Sequence, residues 1–220
     1  ADADLDAAVD GAMLAKLRNI GEACTAANRF HVQREIAAKF AERLVARMAE
    51  LRIGRGTEDG VQIGPLINDA AVTKVSRLVT DATGKGARLL LGGSEIEGAG
   101  HFFQPTVLAD VPADAELRHE EIFGPVAPIF VFDTEDEAVA AANDTEYGLV
   151  SYVFTRDLSR ALRVSERLES GMVGLNQGIV SNPAAPFGGV KQSGFGREGG
   201  RIGIDEYLET KYVSIAAPDA

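Results

Sequence analysis

The alternation of two hydrophobic periods is the feature that most restricts what this chain can fold into. Leu5, Val9, Met13, Leu17 and Ile20 recur every three or four residues, with Gly21 just beyond, and predict a helix that ends immediately before Cys24. A short apolar run at 29–32 predicts a strand. Ile36, Phe40, Leu44 and Met48 then predict an amphipathic helix closing near Arg52. After a Gly- and Pro-punctuated loop over 54–67, Val72, Val75, Leu78, Val79 and Ala82 predict a third helix, stopped by Gly84. Strands are predicted at 87–91, 104–108 and 126–132, and Thr134 with Glu137 forms a capping box that opens a helix running through Ala142. A strand at 149–154, a helix at 158–168 and a strand at 172–175 repeat the pattern. Helices and strands in this order imply an α/β fold with a mainly parallel sheet flanked by helices. The last third departs from it: ten of the 24 glycines lie between Gly171 and Gly203, and an extended stretch at 210–216 has no evident partner. With no repeat, low-complexity tract or linker, the chain reads as one domain.

Composition removes several classes of function. The 220 residues carry 22 Lys plus Arg against 33 Asp plus Glu, a net charge of −11, and no basic patch offsets it. A polyanion is repelled by such a field, so nucleic acid is not an expected partner. No segment reaches the roughly 20 apolar residues of a membrane span, and the start lacks a basic, apolar leader, so neither membrane nor secretion is expected and the cytoplasm is the expected compartment. The single cysteine has no intramolecular partner for a disulfide.

Taken alone, the motifs leave alternatives open. Cys24 sits where a helix stop turns the chain into a loop, a setting for a nucleophile, yet a lone cysteine is more often a small buried hydrophobe. Gly194 to Gly199 fits G-x-G-x-x-G, but the residues before it are not an apolar strand, so it is not read as a phosphate loop. His31, His101 and His119 are scattered without metal-ligand spacing, and no metal is expected. Glu120 and Glu121 beside Phe123, Gly124 and Pro125 make either a ligand-contacting loop or a solvated acidic turn. The irregular stretch 176–191 is long enough to suggest function.

Four segments together change the weighting. Gly21-Glu22-Ala23-Cys24, Glu121-Ile122-Phe123-Gly124-Pro125-Val126, Gly171-Met172-Val173-Gly174-Leu175-Asn176 and Pro186-Phe187-Gly188-Gly189-Val190-Lys191-Gln192-Ser193-Gly194 closely resemble the aldehyde dehydrogenase superfamily, in order and at its intervals. The closing stretch 203–213 resembles its succinate-semialdehyde dehydrogenase branch. The resemblance implies that Cys24 is the nucleophile, forming a thiohemiacetal and then a thioester, with NAD or NADP as cofactor. It further implies that Glu121 binds the nicotinamide ribose, Phe123 packs beside the nicotinamide ring, and Phe187 lines the aldehyde tunnel. Arg18 and Ser181 fall where this branch grips the distal carboxylate of its substrate, and charge-assisted hydrogen bonding is the physical reason for that choice. Some members of the branch pair their nucleophile with a second cysteine, but Ala26 stands at that position here and excludes the switch.

By the same resemblance, residues 1–208 correspond to the catalytic thiol domain and 209–220 to an oligomerisation strand and tail through which like chains assemble. The dinucleotide-binding half, the catalytic glutamate and the oxyanion asparagine precede this region in the family. The chain alone is therefore expected to lack dehydrogenase turnover. The alternatives are another aldehyde dehydrogenase branch acting on a different small polar aldehyde, or an assembly module that keeps the fold without the chemistry.

Overall fold

The computed structural model describes residues 1–216. Helix α1 (Leu5–Leu17) is opened by Asp4, whose carboxylate accepts the amides of Asp6 and Ala7 at 3.1 Å. Strand β1 (Phe30–Gln33) leads into α2 (Arg34–Ala49), which buries Phe40, Ala41, Leu44 and Met48 along one stripe. Helix α3 (Asp69–Gly84) is capped by Asn68 and buries Val72, Val75, Leu78, Val79 and Ala82. Strands β2 (Arg88–Leu91), β3 (Thr106–Ala109) and β4 (Val126–Phe132) follow, then α4 (Glu135–Asn143) behind the expected Thr134–Glu137 capping box.

The main sheet has the order β1-β4-β3-β2. β4 pairs in parallel with both β1 and β3, and β2 joins β3 in antiparallel. Central β4 is buried on both faces, and its alternate residues feed two separate cores. Val126 and Phe130 pack with α3 residues such as Val75 and Leu78. Ala127 and Ile129 point the other way, among Val9 and Ala12 of α1 and Leu44 and Met48 of α2. The result is three layers with the sheet in the middle.

The rest of the sheet is divided. Strands β5 (Tyr147–Gly148) and β8 (Val190–Lys191) form an antiparallel pair, while β6 (Val150–Val153) and β7 (Met172–Leu175) form a parallel pair bridged by α5 (Leu158–Arg167). The mainly parallel α/β expectation therefore stands, with three parallel ladders of the five described, but the strands lie in three separate sheets rather than one. Helix α1 also ends earlier than its hydrophobic period implied. Asn19 and Ile20 adopt φ of 49° and 53°, which breaks the helix although Ile20 continues the apolar stripe and stays buried. The expected strand at 210–216 joins no ladder: these residues are exposed and outside any element. The tail residues 217–220 lie outside the described residues.

Candidate active site

Topology brings two loops together before any side chain is considered. Cys24 precedes β1 and Glu121 precedes β4, and because β1 and β4 are adjacent and parallel, both loops enter the sheet from the same end. This is the end opposite to the one that open α/β sheets ordinarily use for ligands.

The Cys24 loop is shaped by strain at the end of α1. Left-handed backbone at Asn19 and at β-branched Ile20 costs about 1–3 kcal/mol each, and burial of Ile20 together with local hydrogen bonds offsets it. Asn19 Nδ2 donates to the Glu22 carbonyl at 2.7 Å, and the Glu22 amide donates to the Asn19 carbonyl at 2.8 Å. Glu22 Oε1 accepts the Ile67 amide, tying the loop to the segment before α3. A tight turn closed by the Ala26 amide on the Ala23 carbonyl holds Cys24 at its tip, and the thiol residue is exposed. The buried-hydrophobe alternative for Cys24 is thereby set aside.

The second loop is latched to the first. Asn28 accepts the Ile122 amide at 2.8 Å and donates to the Glu120 and Leu117 carbonyls at 3.1 and 3.4 Å. The two carboxylates of this loop then diverge. Glu120 is engaged by Arg77, whose Nη2 reaches both of its oxygens at 2.7–2.8 Å, whereas Glu121 is exposed and forms no ion pair among the described residues. Phe123, half-buried, has φ of 54°.

Arg18 lies at the end of α1, and its Nη1 donates to Ser181 Oγ at 3.1 Å across 163 residues. Close backbone packing three residues earlier brings this segment to α1: a Cβ at Gly178 would overlap the Gly11 carbonyl on that helix. Tyr152 of β6 stands between the two clusters, its hydroxyl donating to the Thr25 carbonyl at 3.0 Å. Burial raises its phenol above the ordinary range, with Arg18 and Cys24 close enough to act on it in opposite senses. Phe187 is placed separately, by paired backbone hydrogen bonds with Glu198 at 2.7 and 2.8 Å. The Gly194–Gly199 segment follows a two-residue strand and leads into a short 3-10 turn at Ile202–Tyr207, with Arg197 bonded to the carbonyls of Gly189 and Gly196. This is not the strand–loop–helix of a phosphate site.

The structure thus unites Arg18 with Ser181, and the Cys24 loop with the Glu121–Phe123 loop. Asn28 and Tyr152 were missed from sequence. Asn28 belongs to no periodic segment, and the partners of both are distant in the chain.

Residues 1–213 match the family model described as the aldehyde dehydrogenase family. The chain belongs to the aldehyde dehydrogenase family. It is 57% identical over 217 residues to a succinate-semialdehyde dehydrogenase of Paenarthrobacter nicotinovorans, covering 99% of this chain and 48% of that protein. It is 56% identical over 218 residues to a 3-sulfolactaldehyde dehydrogenase of Pseudomonas putida, covering 99% and 45% respectively. The crystal structure of an NADP-dependent enzyme of E. coli superposes with a TM-score of 0.96 at 54% identity, over 98% of this chain and 45% of that one. A Bacillus cereus aldehyde dehydrogenase in complex with NAD+ superposes with a TM-score of 0.90 at 36% identity, over 94% and 42%. The chain spans under half the length of each of these proteins.

Proposed function

We propose that this chain is the thiol-bearing catalytic portion of an NAD(P)-dependent aldehyde dehydrogenase that oxidises succinate semialdehyde to succinate. The observation that carries the reading is the Arg18–Ser181 hydrogen bond. It fixes a guanidinium and a hydroxyl beside the loop of an exposed cysteine, which suits an aldehyde that carries an anionic group at its far end. The relative named succinate-semialdehyde dehydrogenase supports the same choice.

In this reading Cys24 Sγ, as thiolate, adds to the aldehyde carbon, and the carbonyl oxygen takes the negative charge of a thiohemiacetal. A bound oxidised nicotinamide would supply the hydride acceptor that conversion of this adduct to a thioester on Sγ requires. Water then releases the acid and restores the thiol. Covalent capture divides one hard oxidation into two easier steps. Arg18 and Ser181 hold the carboxylate, Tyr152 fixes the Thr25 carbonyl beside the nucleophile, and Phe187 lines the approach. The residues present fit the cofactor at one point of contact. Glu121 is exposed while its neighbour Glu120 is occupied by Arg77, so its oxygens are available to ribose hydroxyls, and Phe123 lies beside it. This reading assigns the remaining cradle, the hydrolytic base and the oxyanion amide to no residue of this chain.

A sulfonate presents the same charge as a carboxylate, and the resemblance to a 3-sulfolactaldehyde dehydrogenase favours that substrate as the second reading. Both are tested by Arg18→Leu in a protein that carries this chain behind a complete dinucleotide-binding half. Activity on succinate semialdehyde should fall about 100-fold more than activity on butyraldehyde, as for loss of a charged hydrogen bond. Equal losses would contradict an anionic grip, and a wild-type preference for the sulfonate would select the second reading. Assembly of like chains through the exposed residues 209–216 is the other part of the proposal. It predicts concentration-dependent sedimentation that is abolished by deleting 209–220.

A further inference from the structure

Lys16 has no part in the reaction described above, yet it is only 1% exposed and is the sole Lys, Arg, Asp or Glu in the buried set among the described residues. It lies in the last turn of α1, directly behind the loop that carries Cys24. Its Nζ donates to the Ala27 carbonyl at 3.0 Å, and the Ala27 amide donates back to the Ala15 carbonyl at 2.9 Å. At the other end of the loop, Gly21 packs against the Lys16 carbonyl and against Gly124. The same helical turn therefore fastens both flanks of the Cys24 loop. Retaining an ammonium at such depth is costly unless it makes a specific bond.

We propose that Lys16 is a positioning residue for the reaction, whose hydrogen bond to the Ala27 carbonyl clamps the Cys24 loop to α1, and that gain or loss of its proton tightens or slackens this clamp. The inference rests on Cys24 being the nucleophile. A protonated amine makes the stronger, charge-assisted bond, and a neutral amine makes an ordinary one. Burial brings the lysine down to about 7, while Glu121, the charge that bears on it from the neighbouring loop, pulls it upward. The clamp therefore changes state near neutrality, and it links the loop of the nucleophile to the loop proposed to meet the cofactor.

The test is the rate of Cys24 alkylation by iodoacetamide from about pH 6 to about pH 9, a range that covers both a thiol and a lysine moved by burial. The unsubstituted chain should show two inflections, the thiol's own and one near 7, the latter changing the rate about fivefold. Lys16→Met should leave only the thiol's. A single inflection in the unsubstituted chain, or two in the variant, overturns the proposal. Should Lys16→Met fail to fold, Glu121→Gln removes the charge that favours the ammonium and should move the inflection near 7 to more acidic pH; an unmoved inflection overturns it. Alkylation requires neither aldehyde nor cofactor. Loss of aldehyde turnover with these inflections intact would therefore count against the catalytic reading and not against the clamp.

Discussion

Gly21 and Gly124 meet backbone to backbone: a Cβ on Gly21 would overlap the Gly124 carbonyl oxygen and come within 3.1 Å of the Lys16 carbonyl oxygen. At φ of 87°, Gly21 is also in the left-handed region, so two independent constraints demand glycine at the start of the Cys24 loop. Gly21→Ala should destabilise the fold by about 2–4 kcal/mol, read as a lower urea midpoint with unchanged slope. A variant within about 0.5 kcal/mol of the parent would mean that the two loops are not in contact.

Asn28 makes a second, polar connection between the same loops. Asn28→Ala leaves the amide of buried Ile122 and the carbonyls of Leu117 and Glu120 without their partner, at a cost of about 2–3 kcal/mol. Amide hydrogen exchange at Ile122 should accelerate with the loss of stability. Exchange there at the parental rate would show that the latch is not formed.

How much of this was legible in the sequence depends on the range of the interaction. Helices α2 and α3 follow their apolar periods closely, and the Thr134–Glu137 capping box is a local hydrogen-bond pattern four residues long, visible in the sequence itself. The turn that presents Cys24 was foreseen from the helix stop at Gly21. The strained Asn19 and Ile20 were not, because Ile20 satisfies the helical period and its backbone is overruled by tertiary packing. Lys16 reads from sequence as an ordinary basic residue closing a helix, and only the fold shows it buried. Strands β5 and β8 are two residues each, too short for any period to register. The roles proposed for Arg18 and Ser181 rest on the resemblance, since no spacing rule spans 163 residues; their hydrogen bond is a structural finding.

His31 gives the acid limb of stability a specific source. Its ring packs at a tilt against Phe130, the centroids 5.6 Å apart, and its Nε2 is buried without a hydrogen-bond partner among the described residues. Burial first, then Arg29 and Arg118, lower it from 6.5 to about 4. The folded state therefore keeps His31 neutral where the unfolded chain binds a proton, so stability is lost as pH falls from 6.5 toward 4. The loss is about 3 kcal/mol across that window. His31→Leu should flatten this part of the stability–pH curve, measured by urea unfolding at each pH. Parallel curves for parent and variant would contradict the assignment.

The most direct test of the account asks where the substrate becomes covalently attached. A protein carrying this chain behind a dinucleotide-binding half is mixed with succinate semialdehyde and NADP+, quenched in acid within a turnover, and measured by intact and peptide mass. The account predicts a succinyl thioester on the peptide containing Cys24, absent from Cys24→Ser, which also loses turnover. Undiminished turnover in Cys24→Ser, or a succinyl group on any other residue, would contradict it.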